Sequence, residues 1–177
     1  MKRVLIIGGN GSGKTTMARQ LAAITELPLC HLDSLYWTGD WQVRERSEFL
    51  ALLQAELEKS EWILDGNMRS TLPKRLPYCD TVIYLDFSGI RCFCGTVKRV
   101  LENHGRSRSD MGGNCVERFD KRSWDFIKST LSFNKRNRAY FYDTIATFPH
   151  VEQIVLKNRK AVSAYLKSLK LQYESKK

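Results

Sequence analysis

Gly8-Gly9-Asn10-Gly11-Ser12-Gly13-Lys14-Thr15 is the stretch from which the rest of the chain is read. It fits the spacing G-x-x-x-x-G-K-[ST], and its flanks suit that motif. Val4-Leu5-Ile6-Ile7 before it is a short aliphatic run of the kind a buried parallel strand shows. Thr16-Met17-Ala18-Arg19-Gln20-Leu21-Ala22 after it reads as a helix. Strand, glycine loop and helix together predict a phosphate-binding turn. Glycine at Gly8, Gly9, Gly11 and Gly13 lets successive backbone N–H groups turn inward as an anion nest, with Asn10 and Ser12 between them. The helix starting near Gly13, with Thr16 in its first turn, adds its free N–H groups and the positive end of its dipole. Lys14 reaches the β- and γ-phosphates of a nucleoside triphosphate, and the Thr15 hydroxyl is a Mg²⁺ ligand. ATP and Mg²⁺ are therefore the expected cofactors.

The bulk properties narrow the class. At 177 residues the chain fits one domain, 1–177, with a sizeable core, and 42% hydrophobic content is ordinary for a globular protein. No apolar run is long enough to span a bilayer. Lys2-Arg3 precede only four aliphatic residues before the glycine loop, which does not make a signal peptide, so no membrane and a cytoplasmic location are expected. Five cysteines without an export signal argue against a disulfide framework. Cys92-Phe93-Cys94 has no second pair or nearby histidine to complete a zinc site.

Strand and helix signals alternate along the chain. Leu27 to Leu32 reads as a second strand ending at Asp33, and 34–46 as a loop with a Gly39-Asp40 turn. A helix runs from Ser47, as N-cap, to Lys59. Glu61 to Leu64 is a strand ending at Asp65-Gly66, 70–75 a helical turn, and Thr81 to Leu85 a strand ending at Asp86. Ser88 opens a helix that Gly105 stops. A polar excursion at 105–118 reads as a lid. Helix follows from Phe119 to Phe148 with a break near Asn134, then a strand from Val151 to Leu156, a helix from Arg159 to Leu171, and a basic tail from Gln172 to Lys177. The pattern predicts an α/β three-layer sandwich with a five-stranded parallel sheet covered by helices on both faces.

In such sheets ligands lie beyond the carboxyl ends of the strands, so Asp33, Asp65 and Asp86 are all expected to face the crevice of the glycine loop. One carboxylate holds Mg²⁺ through water, and a second orients or deprotonates an acceptor hydroxyl. Turn and N-cap roles are the competing reading for each.

Ile63-Leu64-Asp65-Gly66-Asn67-Met68-Arg69 resembles the Leu-Asp-Gly-Phe-Pro-Arg segment of adenylate kinases. The resemblance implies that Asp65 serves Mg²⁺ and that Arg69 holds an acceptor phosphate or other anion. Nearly the whole chain resembles the adenylate-kinase-related DNA topology modulation proteins. The likeness rests on His31 to Trp37, Asp65 to Thr71, Gly105 to Met111 and Phe133 to Arg138. It implies a P-loop kinase core of nucleoside-monophosphate-kinase type with a short lid. Arg106, Arg108, Arg136 and Arg138 would then be lid-side arginines for the transferring phosphoryl group, and Lys157-Asn158 would lie near the adenine. Two departures stand out. Asn67-Met68 replace Phe-Pro, and the acceptor region, 33–60, carries Asp33 with Tyr36, Trp37 and Trp41 where adenylate kinases have AMP-binding helices. The latter arrangement is closer to shikimate- or gluconate-type kinases, where an acid after the second strand engages the acceptor hydroxyl.

A net charge of +10 concentrates in the lid and beyond, at Arg118, Lys121, Arg122, Lys128, Lys135, Arg136 and Arg138. A positive lid closing over phosphates accounts for it, with Lys121, Arg122 and Lys128 on a solvated face. The alternative is a nucleotide-gated nucleic-acid-binding protein with weak ATPase activity, for which no helix-turn-helix, RNA-binding sheet or finger spacing speaks. The expected partner is a small-molecule phosphate acceptor, and the chain a monomer or homodimer.

Overall fold

The structure is a computed structural model that describes residues 1–175. Lys176 and Lys177, the end of the expected basic tail, lie outside the described residues.

β1 (Arg3–Gly8), β2 (Leu29–His31), β5 (Trp62–Asp65), β6 (Thr81–Leu85) and β7 (Glu152–Leu156) form one parallel sheet in the order β2-β5-β1-β6-β7. β1 pairs with β5 on one side and β6 on the other, so the glycine loop leaves the centre of the sheet. Alternation along β1 divides the core. Leu5 and Ile7 face α3 (Arg46–Leu57), α4 (Leu72–Arg75) and α6 (Lys121–Ala146), meeting Phe49, Leu53, Leu72 and Phe141. Val4 and Ile6 face α1 (Lys14–Thr25) and α7 (Arg159–Glu174), meeting Met17, Leu21, Leu166 and Leu169. Both faces being covered, β1, β5 and β6 are buried and largely apolar, as the sequence reading requires, while the edge strand β7 opens with exposed Glu152-Gln153.

Three local expectations change. Residues 34–46 are not a plain loop. α2 (Leu32–Tyr36) follows β2 without a break, and β3 (Trp37–Gly39) pairs with β4 (Gln42–Val43) as a small antiparallel hairpin. Its turn falls on Asp40 and Trp41, both in the left-handed region at φ 44° and 57°. Aspartate tolerates that conformation better than tryptophan does, and the Trp41 indole holds it by donating to the Val116 carbonyl of the lid at 3.0 Å. Such pieces are too short for periodicity to reveal.

α6 is continuous through Asn134, where a break is expected from sequence. The buried Asn134 amide donates to the Phe87 carbonyl and, at 3.4 Å, to Asp86. Those tertiary bonds offset a helix-propensity cost of only a few tenths of a kcal/mol. α3 begins two residues earlier than expected, because Glu45 rather than Ser47 caps it, accepting from the N–H groups of Ser47 and Glu48.

α5 (Gly89–Glu102) leads into the lid, 105–118, which is irregular apart from single bridges pairing His104 with Glu117 and Ser107 with Val116. Glycines bring the lid onto the hairpin: a Cβ on Gly112 would lie 1.8 Å from the Trp37 carbonyl, and one on Gly113 2.3 Å from that of Thr38. Among the described residues no helix is long and apolar enough to cross a membrane.

Candidate active site

The carboxyl ends of β1, β2 and β5 open into a cleft of about 1010 Å³ roofed by the lid. Asn10 to Thr16 form its floor. Gly8, Gly11 and Gly13 have φ of 149°, 77° and 91°, and these left-handed turns aim the loop N–H groups inward. The loop is seated on α5. A Cβ on Gly11 would meet the Cys92 carbonyl at 2.1 Å, and one on Gly95 would meet the Gly11 carbonyl at 2.1 Å. From the other side Asn67 accepts a hydrogen bond from the Gly8 N–H at 2.9 Å. Asn67 in place of phenylalanine thus ties the loop after β5 to the glycine loop.

Lys14 curls over this loop and donates to the carbonyls of Gly8 and Gly9 at 3.0 and 3.2 Å. Burial lowers its pKa, while Asp65 and Asp33 nearby oppose that shift. The Thr15 hydroxyl lies 2.8 Å from Asp65 Oδ2 and 3.2 Å from Asp110 Oδ2. Its one proton serves one carboxylate at a time. His31 Nδ1 approaches the same Asp65 oxygen at 3.1 Å, whereas Asp65 Oδ1 is buried with no hydrogen-bond partner.

Asp33 lines the cleft from the first turn of α2. Its side chain is open to solvent within the cleft, yet enclosing walls partly desolvate it. That desolvation raises its pKa, and Lys14 counteracts the rise. Arg108 lines the cleft from the lid and forks onto Asp110 at 2.7 and 3.0 Å, with Glu117 at 3.1 Å. Burial alone raises an acid's pKa. The Arg108 bonds override it at Asp110, whose carboxyl lies below the ordinary value.

The other expected site residues lie elsewhere. Asp86 does not face the crevice. It is buried behind the glycine loop, accepting from Arg138, Asn134 and the Tyr142 hydroxyl. Arg138 is thereby held at Asp86, with 2.9 Å between guanidinium and carboxylate. Arg136 is exposed and donates to the Ser129 carbonyl, and Arg106 is exposed on the lid; neither lines the cleft. Arg69 stacks on the Tyr140 ring at 3.9 Å and reaches Asn137 at 3.5 Å, outside the cleft lining. Asn158 caps α7 by accepting from the Ala161 N–H, and neither it nor Lys157 lines the cleft, although Arg159, Val162 and Ser163 just beyond them do. Tyr36 and Trp37 line it, and Trp41 holds the lid instead. Cys92 is buried under Gly9 and Cys94 is exposed, so the two thiols point apart.

Sequence reasoning missed Arg19, Lys98, Arg99 and Asp110. The first three line the cleft and carry the positive charge that the basic stretch of α6 does not bring there. One signal was present for α5. A glycine within a helical pattern marks close backbone approach, and Arg99, four residues after Gly95, shares its face. Asp110 had none, because its 6% exposure and contact with Thr15 arise from how the lid folds back.

A glycine loop at the centre of a parallel sheet, opening onto the strand ends and a helix N-terminus, defines an α/β P-loop NTPase fold. Solved structures with this architecture include a shikimate kinase from Acinetobacter baumannii in complex with shikimate, with a TM-score of 0.57 at 13% identity over 100% of this chain and 96% of that one. A gluconokinase from Sinorhizobium meliloti 1021 matches with a TM-score of 0.52 at 13% identity, covering 98% and 92%. A shikimate kinase from Bacteroides thetaiotaomicron matches with a TM-score of 0.50 at 16% identity, covering 98% of each. At these identities the likeness is one of fold. No protein-family model matches the chain, and no curated protein matches it.

Proposed function

We propose that this protein is an ATP-dependent phosphotransferase that moves the γ-phosphoryl group of ATP to a hydroxyl of a small acceptor. The observation that carries the reading is the convergence of Lys14, Thr15, Asp65 and Asp33 on one cleft large enough for both substrates. Small-molecule kinases among the similar structures add to it.

The glycine loop binds the phosphates through its N–H groups, and Lys14 exchanges its two loop carbonyls for β- and γ-oxygens. Arg99 and Arg108 line the same cleft and stabilise charge on the transferring group. The acceptor oxygen attacks in line as the bond to the β-bridging oxygen breaks, ADP leaves, and the acceptor proton passes to Asp33. A carboxylate with a raised pKa is a better proton acceptor than an ordinary aspartate. Mg²⁺ would fit beside Thr15, where the hydroxyl and the Asp65 and Asp110 carboxylates supply oxygens, with Asp65 holding it through a bound water. When bound there, the ion neutralises charge between the β- and γ-phosphates.

The test is turnover of MgATP against nucleoside monophosphates, nucleosides, sugars, cyclitols, their acids and DNA. A phosphorylated small product supports the reading, with Lys14→Ala lowering transfer by more than about a hundredfold. Intact transfer in that variant overturns it.

A further inference from the structure

The cleft has two ends, set by strand order. α7, after the edge strand β7, contributes Arg159 at one end, and α2, after the opposite edge strand β2, contributes Asp33, Tyr36 and Trp37 at the other. The glycine loop, after central β1, lies between them. Asp33, the proton acceptor proposed above, marks the α2 end as the acceptor's, which leaves the α7 end to the nucleoside of ATP.

The chemistry of the acceptor end is acidic and aromatic. Its walls are Asp33, Tyr36, Trp37, Asn67, Met68 and Phe133, with Asp65 and His31 at its base. The arginines near this end in sequence are engaged elsewhere: Arg44 donates to the Leu35 carbonyl and to Glu48, and neither it nor Arg46 lines the cleft. Arg69 lies against Tyr140 and Asn137, outside the cleft. Arg75 is fully buried and its guanidinium donates to the carbonyls of Gly66, Asn67 and Met68. It holds the shape of the wall and presents no charge to a ligand. Arg108, the cation nearest Asp33 from the lid, is already forked onto Asp110 and Glu117. A carboxylate or phosphate at the acceptor end therefore meets the Asp33 carboxylate once Lys14, the cation that counteracts it, has turned to the phosphates of ATP, and like charges in a partly desolvated site discriminate strongly. Tyr36, Trp37 and Phe133 instead line the cleft with aromatic surface suited to a flat or cyclic molecule.

We infer that the acceptor is a non-anionic ring compound with a free hydroxyl, neutral or amine-bearing, such as a nucleoside, cyclitol or amino sugar. This separates the site from acceptors that carry a carboxylate or phosphate, and it rests on the phosphotransferase reading above.

The experiment uses the full chain with MgATP and acceptors in matched pairs: nucleoside against its 5′-monophosphate, cyclitol against the corresponding ring acid, amino sugar against sugar acid. Transfer is read by mass of the product, and binding by calorimetry with a non-hydrolysable ATP analogue present. The expected result is a preference for the non-anionic member on the order of a hundredfold. In Asp33→Asn, which removes that charge, the binding ratio between pair members shrinks by about tenfold, an effect a merely structural Asp33 does not produce. Equal or better transfer to the anionic members overturns the inference and leaves the phosphotransferase reading standing. Tight ATP binding with neither transfer to nor binding of any pair member overturns that reading, and the acceptor inference falls with it.

Discussion

Adding one methyl group at Gly11 should displace the glycine loop and disable it. Its Cβ would lie 2.1 Å from the Cys92 carbonyl, 2.4 Å from Thr96 Oγ1 and 2.6 Å from the Thr96 nitrogen. Ordinary contact begins at 3.4 Å, so relief requires a shift of roughly 1.3 Å between loop and α5. A misplacement of about 1 Å at a reacting group lowers rate by about a hundredfold. Stability suffers from two sources. Alanine at φ 77° costs about 1–2 kcal/mol, and overpacking adds about 1–3 kcal/mol. Gly11→Ala should therefore lose roughly 2–5 kcal/mol in urea unfolding. Gly13→Ala has a φ of 91° but nothing within 4 Å of the new methyl, so only the conformational cost of about 1–2 kcal/mol applies. Gly95→Ala tests the same contact from the helix side. In a free helix it gains about 1 kcal/mol, whereas a Cβ at 2.1 Å from the Gly11 carbonyl turns that gain into a loss. A stabilised Gly95→Ala, or equal costs at Gly11 and Gly13, would refute the seating of the loop on α5.

Asp33→Asn should lower transfer by about 10²–10⁴-fold while ATP affinity by calorimetry stays within a few-fold. In the native protein, transfer should fall as pH drops through the raised Asp33 pKa, above the usual carboxylate range. A folded-state pKa raised above the unfolded value means that Asp33 costs stability once pH exceeds it, so the same variant should melt higher than the native protein at neutral pH. Arg108→Ala leaves the buried Asp110 and Glu117 without their shared cation, Arg99 reaching only Glu117 at 3.5 Å. It should cost about 3–5 kcal/mol and make 105–118 more sensitive to limited proteolysis, and an unchanged digestion pattern sinks the idea. Arg138→Ala removes the guanidinium from Asp86, which keeps Tyr142 and Asn134. It should cost about 1–3 kcal/mol with little change in transfer per folded molecule, and a large loss of rate at unchanged stability contradicts its placement outside the cleft.

The strands, their parallel pairing and the position of the glycine loop were legible in the chain because each rests on local physics. Val4 to Ile7 and Thr81 to Leu85 are continuous apolar runs, which only a sheet covered on both faces accommodates. The loop needs glycine at left-handed positions, and Lys14 and Thr15 follow at fixed spacing. Asp33 and Asp65 could be assigned to the cleft because they lie just beyond β2 and at the end of β5, on the edge where parallel sheets bind ligands. What the sequence left open depends on partners distant in the chain. Asp86 occupies an equivalent strand end, yet Arg138, Asn134 and Tyr142 of α6 turn it into a buried anchor. Whether Arg69, Arg106, Arg108, Arg136 or Arg138 reaches the cleft depends on where a 26-residue helix and an irregular lid fold back, which no spacing along the chain encodes. The charge of the acceptor end was decided the same way. Residue type sets what a side chain can do, but a hydrogen bond or a ring stack across some seventy residues sets what remains free to meet a ligand.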